Sequence, residues 1–111
     1  MNKFFLFLVS VMFLTLGNSN AAVYKGQKVF VKKCVECHES GQSFIATKKI
    51  REWKKFMKKR GEALAEIHLK DENAKKSWSY FESRKYTKDS RDLEQFLEEY
   101  AKDSGNVPAC N

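Results

Sequence analysis

The sequence predicts an all-α protein, on two observations. One proline and five glycines among 111 residues leave few positions at which a helix must break. Apolar residues recur at spacings of three and four in several stretches, whereas no stretch alternates apolar and polar residues as a half-buried strand would. Nothing marks a linker or a repeat, so we expect one small helical domain.

The N-terminal 21 residues have the features of a cleavable secretory signal peptide. Lys3 supplies a positive charge, the 13 positions from Phe4 to Leu16 are almost wholly apolar, and Ser19-Asn20-Ala21 provides a small-residue cleavage site. A bilayer-spanning helix needs about 20 apolar residues, so a membrane anchor is the weaker interpretation. We expect a signal peptide over residues 1–21 and one domain over residues 22–111, exported to the periplasm.

The first two helices of the domain are predicted from their apolar faces. The first should run from about Tyr24 to Cys37 and close on the two cysteines. Its apolar stripe comprises Val23, Gly26, Val29, Phe30 and Cys34 or Cys37. The second should begin at about Thr47, as its N-cap, and be interrupted or kinked at Gly61. Its apolar face comprises Ile50, Trp53, Met57, Leu64, Ile67 and His68.

The last helix is the clearest from its pattern. Asp89 or Ser90 can cap its start, and Gly105 should stop it. Its apolar face comprises Leu93, Phe96, Leu97, Tyr100 and Ala101. The segment before it, residues 77–88, carries four aromatic residues that are candidates for the walls of a ligand cavity: Trp78, Tyr80, Phe81 and Tyr86. Ordinary core packing is the simpler interpretation for any single one of them.

The pentapeptide Cys34-Val35-Glu36-Cys37-His38 is the most informative motif of the chain. C-x-x-C-H is the sequence at which haem is attached in c-type haem proteins. Two thiols add across the haem vinyl groups, and the adjacent histidine supplies an imidazole to the iron. The motif therefore predicts one covalently attached haem c, with Cys34 and Cys37 as the attachment points and His38 as the proximal axial ligand.

The sixth iron ligand has few candidates. Beyond the motif and the predicted signal peptide, the chain contains one histidine, His68, and one methionine, Met57. We expect His68, because a neutral imidazole is a good iron ligand and burying one beside a porphyrin without a partner is costly. Met57 is the alternative, although its position on an apolar stripe is also that of a plain core methionine. An open sixth position is the third possibility.

These residues resemble the small class I cytochromes c, an all-helical monohaem family. Gly26-Gln27-Lys28-Val29-Phe30, followed by the haem motif, looks like their N-terminal helix, and Leu93-Glu94-Gln95-Phe96-Leu97-Glu98-Glu99-Tyr100 is similar to their C-terminal helix. The resemblance implies that these two helices cross in contact and that the haem lies in the core. It also implies that Gly26 leaves room for an aromatic residue of the C-terminal helix, such as Phe96 or Tyr100. Family members usually take a methionine ligand from a loop before the last helix, and residues 77–90 contain none.

Eight positive charges fall within 13 residues and are here called the basic stretch: Lys48, Lys49, Arg51, Lys54, Lys55, Lys58, Lys59 and Arg60. A solvated helix face is one interpretation. The other is a docking surface for an acidic redox protein, because such charges accelerate encounter and leave the complex weak. An anionic membrane surface could bind the same residues. Nucleic acid is not expected for an exported haem protein, despite a net charge of +7.

The leading functional hypothesis is a monomeric electron carrier between respiratory redox partners. No catalytic set accompanies the motif, so we do not expect an enzyme. The alternative is a haem-based binder or sensor of a small ligand, with an open or weakly held sixth position. A zinc site of Cys34, Cys37, Cys110 and His68 would have an unusual spacing, and a thioredoxin-like dithiol would need a βαβ pattern that the sequence lacks. Cys110 is otherwise left over as an unpaired thiol near the C-terminus.

Overall fold

This computed structural model describes residues 18–107, which contain four α-helices and two 3-10 segments. The α-helices are α1 (Asn18–Lys33), α2 (Ile50–Leu69), α3 (Trp78–Phe81) and α4 (Arg84–Glu99). The 3-10 segments are Gly41–Thr47 and Glu72–Ser77, and no strand occurs in the described chain. The all-α prediction is thus confirmed. Most of the predicted signal peptide, and Cys110, lie outside the described residues.

Helices α1 and α4 pack directly against each other. A methyl group added to Gly26 on α1 would overlap the backbone carbonyl of Asp92 and lie 2.7 Å from the Cβ of Phe96. One turn further along α1, the ring of Phe30 packs against Phe96, with ring centroids 5.6 Å apart. The predicted contact between the first and last helices is present, and it depends on the absence of a side chain at residue 26.

The apolar core lies between α4 and the two helices that pack against it, α1 and α2. Its fully buried residues are Phe30, Ile45, Trp53, Met57, Ala65, Tyr86, Leu93, Phe96, Leu97 and Ala101. The indole N–H of Trp53 donates to the carbonyl oxygen of Ile45 at 3.0 Å, so the only polar group of that ring is satisfied. The predicted apolar faces of α4 and of the first half of α2 are confirmed. None of the described helices is long and apolar enough to cross a bilayer.

Helix α2 is interrupted at residues 58–61, as predicted from Gly61. Lys59, Arg60 and Gly61 all have positive φ angles, of 51°, 56° and 75°. The Tyr86 hydroxyl donates to the carbonyl oxygen of Gly61 at 2.7 Å, and a side chain at residue 61 would overlap that hydroxyl. Glycine is therefore required there for both its conformation and its size. The helix changes direction at the break. Ile67, beyond it, is 49% exposed, so its predicted place on the buried face is wrong.

Two predicted helix boundaries near the motif are wrong. Helix α1 ends at Lys33, so the cysteines follow the helix instead of closing it. The turn after it is still tight, because the His38 N–H donates to the Cys34 carbonyl at 2.9 Å. Helix α2 begins at Ile50 with Lys49 as N-cap. Thr47, the predicted cap, instead donates its hydroxyl to the carbonyl of Phe44 at 2.6 Å and closes the preceding 3-10 segment.

The last helix begins earlier than predicted. Ser83 is its N-cap and accepts the N–H of Tyr86 at 3.3 Å, which places Asp89 and Ser90 inside the helix. Asp89 instead accepts from the Tyr80 hydroxyl at 2.8 Å. Helix α4 ends at Glu99, and Gly105, with a φ of 80°, lies in the turns beyond it. The prediction that Asp89 or Ser90 caps the last helix is therefore wrong, although both are residue types that cap helices.

Candidate functional site

A cavity of about 310 Å³ opens beside the C-x-x-C-H motif. Cys34, Cys37 and His38 line it from the turn after α1, and His68 lines it from the second half of α2. The remaining wall is mainly apolar and includes Phe30, Phe44, Trp53, Leu64, Tyr80, Phe81, Leu93 and Leu97. Small-molecule sites typically have volumes of about 300–1,000 Å³ and apolar linings. The fold therefore gathers the motif residues and the predicted sixth ligand around one cavity.

The imidazole rings of His38 and His68 lie close to each other, with centroids 6.2 Å apart and planes at 77°. Imidazole nitrogens bind metals at about 2 Å, so two rings on opposite sides of one metal have centroids about 6 Å apart. The separation of the two rings is compatible with such a shared metal.

The orientation of His68 is fixed by its neighbours. Its Nδ1 lies 2.7 Å from the carbonyl oxygen of Leu64. Because a carbonyl only accepts, Nδ1 carries the proton, and Nε2 of the neutral ring keeps its lone pair. The ring also stacks on Phe81, with centroids 4.3 Å apart and planes at 26°. Metal-bound histidines are commonly held by such a hydrogen bond from the other ring nitrogen.

The ring of His38 has different neighbours. Its ring stacks on Phe44, with centroids 4.1 Å apart and planes at 19°. Burial, and secondarily the neighbouring His68, lower the pKa of His38 below the ordinary histidine value. The neutral imidazole, which is the form that ligates a metal, is therefore favoured over a wider pH range.

The two cysteines differ in environment. Cys34 is partly buried, and burial, with a smaller contribution from Cys37, raises the pKa of its thiol to about 12. Cys37 is exposed, and neither residue is in a disulfide. A thiol with so high a pKa is a weak nucleophile at neutral pH. This environment, together with the absence of strands from residues 18–107, disfavours the thioredoxin-like hypothesis.

Met57, the alternative sixth ligand, lies elsewhere. It is 2% exposed, belongs to the apolar core, and does not line the cavity that contains His38. Its methyl group is instead 3.3 Å from the position where a side chain at Gly61 would begin. Of the two candidates, the structure brings only His68 to the motif.

The donor set of the cavity suits haem better than a bare metal ion. Among residues 18–107 no three His, Cys, Asp or Glu side chains are grouped to hold a metal ion, and Cys110 of the proposed zinc site is outside that range. Haem iron already has four porphyrin nitrogens, so it needs one or two axial donors from the protein. His38 and His68 match that requirement, and the apolar wall suits a porphyrin face.

Several cavity residues were not predicted from the sequence. Phe44 and the polar residues Lys33, Asp71, Asn73 and Ser77 all line the cavity. Most of these polar residues lie in or next to the 3-10 segment Glu72–Ser77, where no periodicity shows which side chains face inward. The one local signal there is Asp71, whose carboxylate accepts the N–H of Asn73 at 2.9 Å and caps the segment.

The aromatic segment before α4 divides between two roles. Tyr80 and Phe81 line the cavity as predicted. Trp78 does not line the cavity. Its indole N–H donates to the backbone carbonyl of His68 at 2.7 Å and so helps to hold that residue in place. Tyr86 is buried in the core, and its ring centroid is 4.8 Å from that of Phe81. The same segment thus supplies two residues that line the cavity and two that support the lining residues.

The basic stretch is a solvent-facing surface. Seven of its eight residues are exposed, and Lys48 is partly buried. Lys48 lies over the ring of Phe56 at 5.5 Å, and Lys54 pairs with Glu98 at 3.7 Å. The stretch is therefore exposed to solvent, as both a solvated helix face and a docking surface require.

Comparison of the chain with protein-family models, with curated proteins and with solved structures finds no match. Function must therefore be inferred from the chain's own residues.

Proposed function

We propose that this protein is an exported, periplasmic c-type cytochrome that carries electrons between respiratory redox partners. One observation carries the proposal: His38, of the C-x-x-C-H motif, and His68 line the same apolar cavity with ring centroids 6.2 Å apart. A bound haem supplies one-electron chemistry through its ferric and ferrous states. The proposal does not include the turnover of a substrate.

Four residues of the cavity would hold the haem. Cys34 and Cys37 would provide the thioether links, and His38 would provide an imidazole to the iron. His68 would provide the second imidazole, because the Leu64 carbonyl accepts its Nδ1 proton and leaves Nε2 available. Paired imidazoles favour a lower reduction potential than a histidine and methionine pair, since methionine ligation raises it. The apolar wall limits water around the iron and adds to this tuning.

The choice between a carrier and a small-ligand binder depends on the sixth position. A histidine held by a 2.7 Å hydrogen bond and a stacked phenylalanine loses little further freedom on ligating iron. A position occupied in this way resists exchange with an incoming gas molecule. The class I cytochrome c fold is part of the same proposal, and the packing of α1 against α4 at Gly26 supports it.

The partner we propose is a redox protein with an acidic docking surface, bound through the basic stretch. Seven exposed cations steer an acidic partner at low ionic strength and release it readily afterwards. An anionic membrane surface is the other ligand that this stretch could take. The carrier is proposed to act as a monomer, without nucleic acid.

The test is expression in a host that matures c-type cytochromes. The purified protein should be coloured and heavier by one covalently bound haem, and replacing Cys34 and Cys37 by serine should abolish both properties. Cys110→Ser is the matched control and should retain the haem. The ferrous protein should bind carbon monoxide slowly and incompletely. A colourless wild-type protein would contradict the haem proposal, and rapid stoichiometric carbon monoxide binding would favour the binder.

A further inference from the structure

A second cavity, of about 530 Å³, lies at the break of α2. It shares no lining residue with the cavity of the motif. Cationic side chains dominate its lining and define what we call the basic hollow: Lys58, Lys59, Arg60, Lys88 and Arg91. Glu94 is the one carboxylate that lines it. The hollow is thus a concave site with a strong excess of positive charge.

The backbone of the break concentrates these charges. In a continuous helix, successive side chains point in different directions, so three consecutive cations would be spread around it. Here Lys59 and Arg60 have φ and ψ angles of 51° and 52°, and of 56° and 39°, and line one hollow with Lys58. The left-handed conformation is disfavoured for residues with a side chain, and such strain tends to persist at functional sites.

The charges of the hollow are not offset by ion pairs within residues 18–107. The ion pairs formed there involve other lysines, which are Lys54, Lys70, Lys76 and Lys85. Glu94 is a single carboxylate against five cations, so it cannot neutralise the hollow. The five cations therefore repel one another across the cavity, and an anion placed among them would relieve that repulsion.

We propose that the basic hollow binds a small multivalent anion of the phosphate class, with a diphosphate as its simplest member. Arg60 and Arg91 present planar guanidinium groups that match pairs of phosphate oxygens, and the lysines add point charges. A phosphate group carries about −1.5 to −2 charges near neutral pH, so two groups offset the five cations better than one. The concave shape suits a small anion better than a flat protein surface. The site is separate from the proposed haem cavity and does not depend on it.

The test is thermal unfolding of the purified protein titrated with pyrophosphate, compared with sodium chloride at matched ionic strength. A ligand that binds only the native state raises the melting temperature, so pyrophosphate should raise it saturably and chloride should not. Replacing Lys59 and Arg60 by glycine removes two charges and the left-handed strain. This variant should be at least as stable without the anion, yet bind pyrophosphate about tenfold more weakly or worse by calorimetry. Lys25→Gln with Lys32→Gln on α1 is the charge-matched control and should respond as the wild type does.

Other outcomes would overturn the proposal. These are an unchanged pyrophosphate response in the double-glycine variant, an equal loss in the α1 control, and an equal response to citrate. Binding to phosphatidylglycerol vesicles with no response to pyrophosphate would assign the charges to a membrane surface instead. If the double-glycine variant fails to fold, Lys88→Gln with Arg91→Gln on α4 removes two charges from the other side of the hollow. That variant must then show the weakened binding.

Discussion

The hydroxyl of Tyr86 donates a hydrogen bond to the carbonyl oxygen of Gly61 across 2.7 Å, and this bond joins α4 to the break of α2. The break re-aims the second half of α2, from which Leu64 and His68 line the cavity. The ring of Tyr86 also contacts Phe81, on which His68 stacks. One buried tyrosine therefore links the break of α2 to the support of the proposed sixth ligand.

Tyr86→Phe should destabilise the fold, because it removes the buried hydrogen bond from the phenol to the carbonyl oxygen of Gly61. The expected loss is about 0.5–1.5 kcal/mol in the free energy of unfolding, measured by chemical denaturation. Tyr24 is 58% exposed, so Tyr24→Phe is the matched control and should change stability little. Equal stability of the wild type and Tyr86→Phe would show that the hydrogen bond contributes nothing.

Alkaline pH should destabilise the protein through Tyr80 and Tyr86. Burial is the main cause that raises the pKa of both phenols, with the hydrogen bond to Asp89 adding to the shift at Tyr80. In the unfolded chain the phenols lose protons above about pH 10, whereas the folded protein holds them. Their contribution is therefore fully present below that pH and declines as the pH rises beyond it.

The measurement is the free energy of unfolding by urea at about pH 8 and about pH 11, on either side of the ordinary tyrosine pKa. The variant Tyr80→Phe with Tyr86→Phe should lose less stability than the wild type over this interval. An identical loss in both proteins would assign the alkaline destabilisation to other groups.

Gly26→Ala should weaken the packing of α1 on α4. The added methyl group would overlap the Asp92 carbonyl and approach the Cβ of Phe96 to 2.7 Å, so the helices must separate. Overpacking of this kind costs about 1–3 kcal/mol in the free energy of unfolding. Lys25→Ala, at an exposed position of the same helix, is the control and should be neutral or slightly stabilising. A Gly26→Ala protein as stable as the control would mean that the two helices pack less closely than described.

Neutralising the basic stretch should slow the oxidation of the ferrous protein by ferricyanide, a small anionic reagent that stands in for an acidic partner. The variant replaces four lysines by glutamine: Lys54, Lys55, Lys58 and Lys59. At low ionic strength the rate should fall about tenfold or less, and the difference should vanish as salt screens the charges. The control replaces four exposed lysines outside the stretch and the cavity: Lys25, Lys28, Lys32 and Lys102. Equal rates in the two variants would leave net charge, and no particular surface, as the cause.

The sequence predicted the parts of the fold that depend on periodicity. Leu93, Phe96 and Leu97 are buried as their spacing requires, and Gly61 breaks α2. The helix boundaries were less predictable. Lys49 caps α2 because its backbone N–H donates to the Glu52 side chain, and lysine is not a residue type that predicts an N-cap.

Some residues of the site could be predicted from their type and spacing, and others reach it only through the course of the backbone. The spacing of Cys34, Cys37 and His38 identified three residues that line the cavity. His68, the one histidine outside the motif, lines it as well. Phe44 and Asn73 reach the cavity only through the course of the 3-10 segments, which have no repeating apolar face to reveal it. The left-handed Lys59 could not be predicted either, because lysine ordinarily favours the right-handed helix.

The most direct measurement is the axial ligation of the ferric protein, read from its electron paramagnetic resonance and absorption spectra. The wild type and Met57→Leu should both show low-spin iron with two imidazole ligands. His68→Ala should lose that signal and regain it when free imidazole is added. A sulfur-to-iron band in the wild type that disappears in Met57→Leu and persists in His68→Ala would contradict ligation by His38 and His68.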